Sequence, residues 1–223
     1  SATVYGNTGN DPIKEIAPIR PINPYGTSKA AIEMLLADIA GCSGHNSPYQ
    51  KSTSGWRIAR LRYFNPAGAH PSGQIGENPK STPNNLFPLI NQVAIRRQKH
   101  LTIFGNNWPT IDGTGVRDYI HVMDLAEGHQ AALETLNSSE PQLLTLNLGS
   151  GKGTSVLELI KAFELATDQN IPYIISRRRT GDCAIALANP SEAKNYLKWE
   201  TKRTLEDICI DGWKWQSLNP NGY

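Results

Sequence analysis

The chain has 223 residues, of which 39% are hydrophobic and 19% are charged, and its formal net charge is +2. These proportions are typical of a globular protein with one large or two small domains. A net charge this close to zero gives no electrostatic footprint for nucleic acid. No apolar run approaches the ~18 residues that a membrane helix needs, and no secretory signal is visible, so we expect a cytoplasmic protein.

Helix and strand patterns alternate along the chain, which is typical of an α/β fold. Asn23 and Pro24 predict a helix start, and apolar residues at helical spacing extend this helix to about Ala40. Residues 44–55 are polar and predict a surface loop. Strand patterns follow at Trp56–Tyr63, Leu101–Phe104, Tyr119–Val122 and Leu143–Leu148, and helix patterns at Leu86–Arg97, at Asp124 (the expected cap) to Leu136, and at Val156–Ala166.

Two glycine-rich segments interrupt this pattern. Residues 65–83 have no periodicity, and an irregular stretch of that length in a compact enzyme is usually functional. Residues 149–154 connect a strand to a helix but lack the spacing of a phosphate-binding loop. We therefore expect a tight turn there, capped by Thr154 or Ser155.

The cysteines and histidines do not indicate a metal site. Cys42, Cys183 and Cys209 are widely separated, and none of the five histidines is paired at ligand spacing. We expect free thiols in a reducing compartment and no bound metal.

Tyr25 and Lys29 are four residues apart on the first predicted helix and therefore share a face. A free phenol is a poor base at neutral pH, but a neighbouring ammonium favours the phenolate. The pair alone is a weak signal, because such a pair can occur by chance, and it gains weight from the hydroxyl-rich segment Ser1–Thr3. This combination predicts a proton-transfer site.

Several short motifs occur in a fixed order along the chain. They are Ser1–Gly6, Asn23–Lys29, Leu61–Gly73, Pro83–Leu86, Asp112–Val122 and Gly181–Asp182. Together they resemble the UDP-glucose 4-epimerase family of the extended short-chain dehydrogenase/reductase superfamily. The similarity covers essentially the whole chain.

The resemblance implies the C-terminal part of a doubly wound, Rossmann-type NAD-binding domain and a smaller α/β substrate-binding domain. Residues 1–66, with 119–148, would belong to the first, and residues 67–118 and 149–223 to the second. The glycine-rich fingerprint of the family would lie in about 120 preceding residues. We therefore expect this chain alone to be inactive or nearly so.

The resemblance also implies the catalytic roles. Tyr25 would act as the base, with Lys29, Ser1 and Thr3 as the other catalytic residues, and Tyr25, Lys29 and Tyr63 would contact NAD. The implied reaction is a transient oxidation at C4 of a UDP-sugar, which interconverts UDP-glucose and UDP-galactose.

The implied substrate site includes arginines for the diphosphate, a strand that frames the uracil and an acid for the ribose. The residues are Phe64, Asn65, Asn84, Asn85, Leu86, Leu101, Thr102, Ile103, Phe104, Arg117, Tyr119, Val156, Arg179, Asp182 and Ala186. Some family members have a tyrosine at the place of Ala186. The small side chain here predicts room for an acetamido group, and hence activity on UDP-GlcNAc and UDP-GalNAc.

Other assignments stay open at this point. A UDP-uronate 4-epimerase or a 4-reductase of the same superfamily is an alternative enzyme. A non-catalytic nucleotide-sugar-binding remnant is the alternative from another class, although both Tyr25 and Lys29 are present. The resemblance further implies a homodimer that pairs through helices including the one carrying Tyr25.

Overall fold

The computed structural model describes residues 1–42, 47–79 and 83–223. It confirms an α/β architecture with mixed sheets. The strands are β1 (Tyr49–Lys51), β2 (Arg57–Tyr63), β3 (Asn65–Ala67), β4 (Leu101–Phe104), β5 (Val116–His121), β6 (Gln142–Leu148), β7 (Gly153–Ser155), β8 (Tyr173–Ser176) and β9 (Ile185–Ala186). The helices are α1 (Pro24–Ala40), α2 (Leu86–Ala94), α3 (Val122–Ser138), α4 (Val156–Thr167), α5 (Ser191–Leu197) and α6 (Leu205–Leu218), and a 3₁₀ helix spans Ala2–Tyr5.

The first sheet has the strand order β1-β6-β2, and β2 and β6 run parallel with Arg62 opposite Asn147. All seven residues of β6 are buried, as expected for a strand covered on both faces. Helix α3 packs on β6 through Leu125 and Ala132. Helix α1 covers another part of this sheet, where Ala37 and Ala40 contact Leu143.

A second sheet has the order β3-β5-β7, with β9 also paired to β5, and β4 and β8 form a two-stranded parallel sheet. Helices α2, α4 and α6 enclose the largest core cluster, which includes Phe87, Phe163 and Ile208. The ring centroids of Phe87 and Phe163 are 6.0 Å apart in an edge-to-face arrangement. This core supports β4 and β5, whose ends carry several of the predicted site residues.

Some of the predicted elements differ from the structure. The polar residues 44–55 include strand β1, which pairs with β6 through its backbone, while residues 44–46 lie outside the described residues. Helix α2 ends at Ala94 rather than Arg97, because Arg96 has a left-handed φ of 61°. Of the irregular residues 65–83, 65–67 form β3, and 80–82 lie outside the described residues.

The cap of α3 is His121 and not the predicted Asp124. The Nδ1 atom of His121 accepts a hydrogen bond from the Met123 amide at 3.0 Å. Asp124 is buried inside the first turn, where its Oδ2 accepts from the backbone amides of Lys202 and Arg203 at 3.2 and 3.0 Å. Its carboxylate is therefore used to fix the segment that leads into α6.

Ser155 confirms the predicted capped turn before α4. Its Oγ accepts from the Glu158 amide at 3.0 Å, and the Glu158 carboxylate accepts from the Ser155 amide at 2.7 Å. We expect Ser155→Ala to lower the free energy of unfolding by about 1 to 2 kcal/mol, because an orphan amide loses its partner. Urea unfolding of the chain measures this change. A loss below about 0.3 kcal/mol would contradict the cap's role.

Within residues 1–42, 47–79 and 83–223, no helix has the length and apolar character needed to span a membrane. The same residues contain no cluster of three or more histidine, cysteine or acidic side chains placed to hold a metal ion.

Candidate active site

Tyr25 and Lys29 lie in the first two turns of α1. The side chain of Asn23 accepts a hydrogen bond from the Gly26 amide at 2.8 Å, and Pro24 occupies the first turn, where its missing N–H costs nothing. Tyr25 is 58% exposed, and the Nζ atom of Lys29 lies 5.3 Å from the centroid of its ring. The predicted pair is therefore formed and its phenol is accessible.

The 3₁₀ helix brings the predicted hydroxyl groups to the same place. A Cβ atom on Gly26 would lie 2.8 Å from the Thr3 carbonyl oxygen, so only glycine permits this close approach of α1. The Oγ atoms of Ser1 and Thr3 are 3.1 Å apart. Two hydroxyls, a phenol and an ammonium thus lie on two elements in direct contact.

Most of the predicted substrate residues line one cavity of about 250 Å³. It is lined by Asn65, Asn84, Asn85, Leu86, Thr102, Ile103, Phe104, Trp108, Gly115, Arg117, Tyr119, Val156, Arg179, Asp182 and Cys183. The ends of β4 and β5, the start of α2 and the start of α4 form its walls. Asn65 belongs to this wall, and the preceding Phe64 packs against Val4 and Tyr5 of the 3₁₀ helix. Phe64 and Asn65 therefore connect the core beneath the 3₁₀ helix with the cavity wall.

The charged groups that line this cavity are Arg117, Arg179 and Asp182. Arg117 is held by the Val116 carbonyl, which accepts from Nη1 at 2.8 Å. The guanidinium of Arg179 stacks 4.5 Å from the centre of the Phe104 ring, and its Nε lies 3.2 Å from the Asp182 carboxylate. Asn85 precedes α2 without a side-chain cap, so the first amides of this helix remain available to an anion. This arrangement suits a diphosphate.

Three of the predicted substrate residues lie outside the cavity lining, namely Phe64, Leu101 and Ala186, and so does the predicted cofactor residue Tyr63. Phe64 is 8% exposed and Leu101 is 1% exposed, and both side chains are part of core clusters. Tyr63 ends β2 and packs against His129, with ring centroids 5.3 Å apart. Ala186 pairs with Arg117 in parallel register between β9 and β5. Because registered neighbours point to the same face of a sheet, Ala186 shares the face of Arg117.

Two aspartates, the buried Asp118 and the half-buried Asp112, hold the loops around the cavity, and sequence reasoning missed both. Asp118 accepts from the amides of Ser150, Gly151 and Ala188 at 2.8, 2.8 and 3.0 Å. Burial raises the pKa of Asp118, and these bonds oppose the shift. For Asp112, burial is outweighed by hydrogen bonds from Ser155 and Thr114, which lower its pKa. Asp112 thus fixes the turn that precedes Arg117, and Asp118 fixes the turn at residues 149–151.

Trp108, Gly115 and Cys183 also line the cavity and were not predicted. Arg178 stacks on Trp108 at 3.9 Å from the ring centre, and its Nε donates to Asn107 Oδ1 at 2.8 Å. The signal in the sequence was an aromatic residue within the glycine-rich segment between β4 and β5. Such a residue often lines a ligand site.

The family model described as the NAD dependent epimerase/dehydratase family matches residues 1–149. The chain belongs to this family. It is also 51% identical over 224 residues to a UDP-glucose 4-epimerase of Bacillus subtilis (strain 168), with 100% of this chain and 62% of that protein covered. The chain thus spans less than two thirds of the length of this relative.

Two solved structures have the same fold. A UDP-glucose 4-epimerase from Bifidobacterium longum in complex with NAD+ and UDP has a TM-score of 0.90 at 45% identity, covering 100% of this chain and 63% of that chain. A UDP-glucose-4-epimerase from Stenotrophomonas maltophila with bound NAD and formylated UDP-arabinopyranose has a TM-score of 0.90 at 47% identity, covering 99% of this chain and 62% of that chain.

Proposed function

We propose that the full-length protein containing this chain interconverts UDP-glucose and UDP-galactose by transient oxidation at C4. The observation that carries this proposal is the contact between the helix bearing Tyr25 and Lys29 and the segment bearing Ser1 and Thr3. These groups can remove and return a hydroxyl proton. The cavity lined by Asn65 also carries Arg117 and Arg179, and planar guanidinium groups suit a diphosphate. The relatives carry the same activity in their names.

Proton transfer is assigned to Tyr25. Its phenolate takes the proton of the sugar 4-hydroxyl, directly or through Ser1, and the ammonium of Lys29 stabilises the phenolate. The hydroxyl groups of Ser1 and Thr3 hydrogen-bond the oxygen on C4 as it becomes a carbonyl. When the proton returns, the same groups hold the oxygen of the epimer.

The residues present fit NAD, which two structural relatives contain. Tyr25 is exposed and Lys29 is half-buried, and an ammonium beside a phenol provides donors for the diol of a nicotinamide ribose. Tyr63, at the carboxyl end of β2, lies where open α/β sheets bind ligands. Bound NAD+ supplies a hydride acceptor for the sugar carbon. Residues 1–66 and 119–148 would belong to this cofactor-binding part.

The nucleotide end of the substrate is assigned to the cavity. Arg117, Arg179 and the start of α2 would bind the diphosphate, Asp182 the ribose, and the strand Leu101–Phe104 the uracil. Residues 67–118 and 149–223, which carry most of these groups, would form the substrate-binding domain. Tight binding at the nucleotide end would leave the sugar free to rotate, so that hydrogen can return to either face of C4.

Arg117→Met is expected to weaken UDP binding to the full-length protein by about 100-fold, because a charge-assisted bond to the diphosphate is lost. Isothermal titration with UDP measures the Kd. Arg97→Met is the control, since Arg97 bonds Asn221 at the surface and should leave the Kd unchanged. Equal Kd values for the two variants would contradict the assignment.

We further propose a homodimer in the cytoplasm. Ile32, Leu35 and Ile39 lie along one side of α1 and are 48, 58 and 39% exposed, which favours burial in an interface. All three cysteines are free thiols, as expected in a reducing compartment. Light scattering on the full-length protein should give the mass of two chains. The mass of one chain would contradict the proposed dimer.

The proposed activity is tested by incubating the purified full-length protein with UDP-galactose and following UDP-glucose by NMR. We expect conversion to an equilibrium mixture, and no turnover by the 223-residue chain alone. No conversion of UDP-galactose, with conversion of a UDP-uronate instead, would identify the alternative 4-epimerase. Binding of UDP without conversion of any UDP-sugar would identify a binding protein.

A further inference from the structure

We propose that Arg62 is a positioning residue that holds the Tyr25 helix and the Ser1–Thr3 segment in a fixed relation. The proposal rests on the proposed function, because it concerns the two elements that carry the proton-transfer groups. Arg62 lies on β2 beneath both elements and has a fully buried side chain. Its hydrogen bonds go to Glu33, Tyr5 and Glu15 and not to Tyr25 or Lys29, so its effect would act through these partners.

On one side Arg62 binds α1 through Glu33. Its Nη2 lies 2.6 Å from Glu33 Oε2, and its Nε donates to Oε1 at 3.0 Å, which makes a bidentate pair. Glu33 follows Lys29 by one helical turn. A planar guanidinium that holds both carboxylate oxygens restricts the rotation of this side chain.

On the other side Arg62 binds the segment that ends in Tyr5. Its Nη1 donates to the Tyr5 hydroxyl at 2.8 Å and to the Glu15 carbonyl at 3.0 Å. Its guanidinium also lies 4.8 Å from the centre of the Tyr5 ring. Tyr5 closes the 3₁₀ helix whose first turn carries Thr3 and follows Ser1. One side chain therefore bonds to both elements that carry the candidate catalytic residues.

The sheet anchors this arrangement. Burial raises the pKa of Tyr5 to about 12, so its hydroxyl stays protonated and donates to Asn147 Oδ1 at 2.6 Å. Asn147 is the registered partner of Arg62 on β6. Its backbone amide donates to the buried Glu15 carboxylate at 2.8 Å. Although burial opposes the charge on Arg62, its bonds to Glu33 raise the pKa of the guanidinium. The arginine is thus charged and held on three sides.

The packing of α1 explains why this contact matters. Its five buried residues are Gly26, Ala30, Glu33, Ala37 and Ala40, so Glu33 is the one long side chain on the buried face. Small residues let the backbone of a helix approach its neighbours closely. The Glu33–Arg62 pair adds a bonded side-chain contact between this buried face and β2, beside the bond from Arg60 Nη1 to the Glu33 carbonyl. A shift of about 1 Å in a reacting group can cost about 100-fold in rate.

The test uses the full-length protein with Arg62→Met, Arg62→Lys and Tyr5→Phe. We expect Arg62→Met to lower kcat by about 100-fold while KM for UDP-galactose and the Kd for UDP change less than about threefold. Arg62→Lys keeps the charge but not the fork, and should recover about a tenth of the lost kcat or less. Tyr5→Phe removes one oxygen and should lower kcat by about tenfold.

Arg203→Met is the control for the loss of a buried ion pair. Arg203 binds the fully buried Asp124 at 2.5 Å, away from α1, and its loss should leave kcat per folded molecule within about twofold. A folded Arg62→Met protein with wild-type kcat would overturn the proposal, as would parallel losses of kcat and UDP binding. If Arg62→Met does not fold, an unchanged kcat for Tyr5→Phe overturns it. Absence of epimerisation by the wild-type protein would instead reject the proposed function.

Discussion

Tyr25→Phe in the full-length protein is expected to lower kcat for UDP-galactose by about 1000-fold, because the sugar hydroxyl loses its base. The exposed phenol lies beside the Lys29 ammonium, on a helix that contacts the segment carrying Ser1 and Thr3, whose hydroxyls on their own are poor bases. The Kd for UDP should stay the same, since the cavity residues are unchanged. Initial rates from a coupled assay for UDP-glucose, together with UDP titration, measure both quantities.

Tyr49→Phe is the matched control for Tyr25→Phe. Tyr49 is also an exposed tyrosine, but it stacks on Tyr196 at the edge of the first sheet, with ring centroids 6.2 Å apart. This variant should retain full kcat. A Tyr25→Phe enzyme that turns over at the rate of the Tyr49→Phe enzyme would remove the assigned base.

Ala186→Tyr is expected to lower turnover of UDP-GalNAc by about 100-fold while turnover of UDP-galactose changes by less than about threefold. Ala186 lies beside Arg117 in the β5–β9 register, and the two side chains share a face of the sheet. The aromatic ring would occupy the space that an acetamido group needs. The wild-type protein should accept both substrates.

The comparison requires kcat/KM for both substrates with wild type, Ala186→Tyr and Ala186→Ser. Serine is the control because it adds a hydroxyl without filling the space, so both activities should remain. If wild type turns over UDP-GalNAc thousands of times more slowly than UDP-galactose, the predicted activity on N-acetylated UDP-sugars is wrong. Equal losses for both substrates in Ala186→Tyr would place the residue away from the 2-substituent.

The regular elements with strong local signals were predictable from the sequence. Helix α1 has an Asn23 cap, a proline in its first turn and Gly41 at its end, and the structure places it at Pro24–Ala40. Strand β4 matches the prediction at both ends, and β6 begins one residue earlier than predicted. Here local propensity and burial agree, so a short window of sequence contains the information.

Elements that depend on distant partners were not predictable in this way. Strand β9 has two residues and exists through its pairing with β5, some 70 positions earlier. No element was predicted beyond Ala166, although Thr204 and Asp207 have the spacing of the capping box that begins α6. The edge strand β1 is polar because its backbone, and not its side chains, makes the contact with β6.

The residues of the candidate site show the same difference between local signals and contacts with distant partners. Tyr25 and Lys29 were found from their spacing, and the cavity residues from the family resemblance. Arg62 was missed because an arginine in a strand usually indicates a solvent-facing position. Its partner Glu33 lies 29 residues earlier on a different element, and no local pattern links the two. Trp108 and Cys183 were missed because loop residues carry no periodic signal.

Deuterium at C4 of UDP-galactose tests most directly whether the hydrogen removed from the sugar carbon is the one that returns to it. The full-length protein is incubated with this substrate in ordinary water, and the UDP-glucose formed is examined by mass spectrometry and NMR. We expect the product to keep the deuterium at C4. Loss of the label to water would show that the carbon exchanges a proton with solvent, and would rule out a transient oxidation in which the same hydrogen returns.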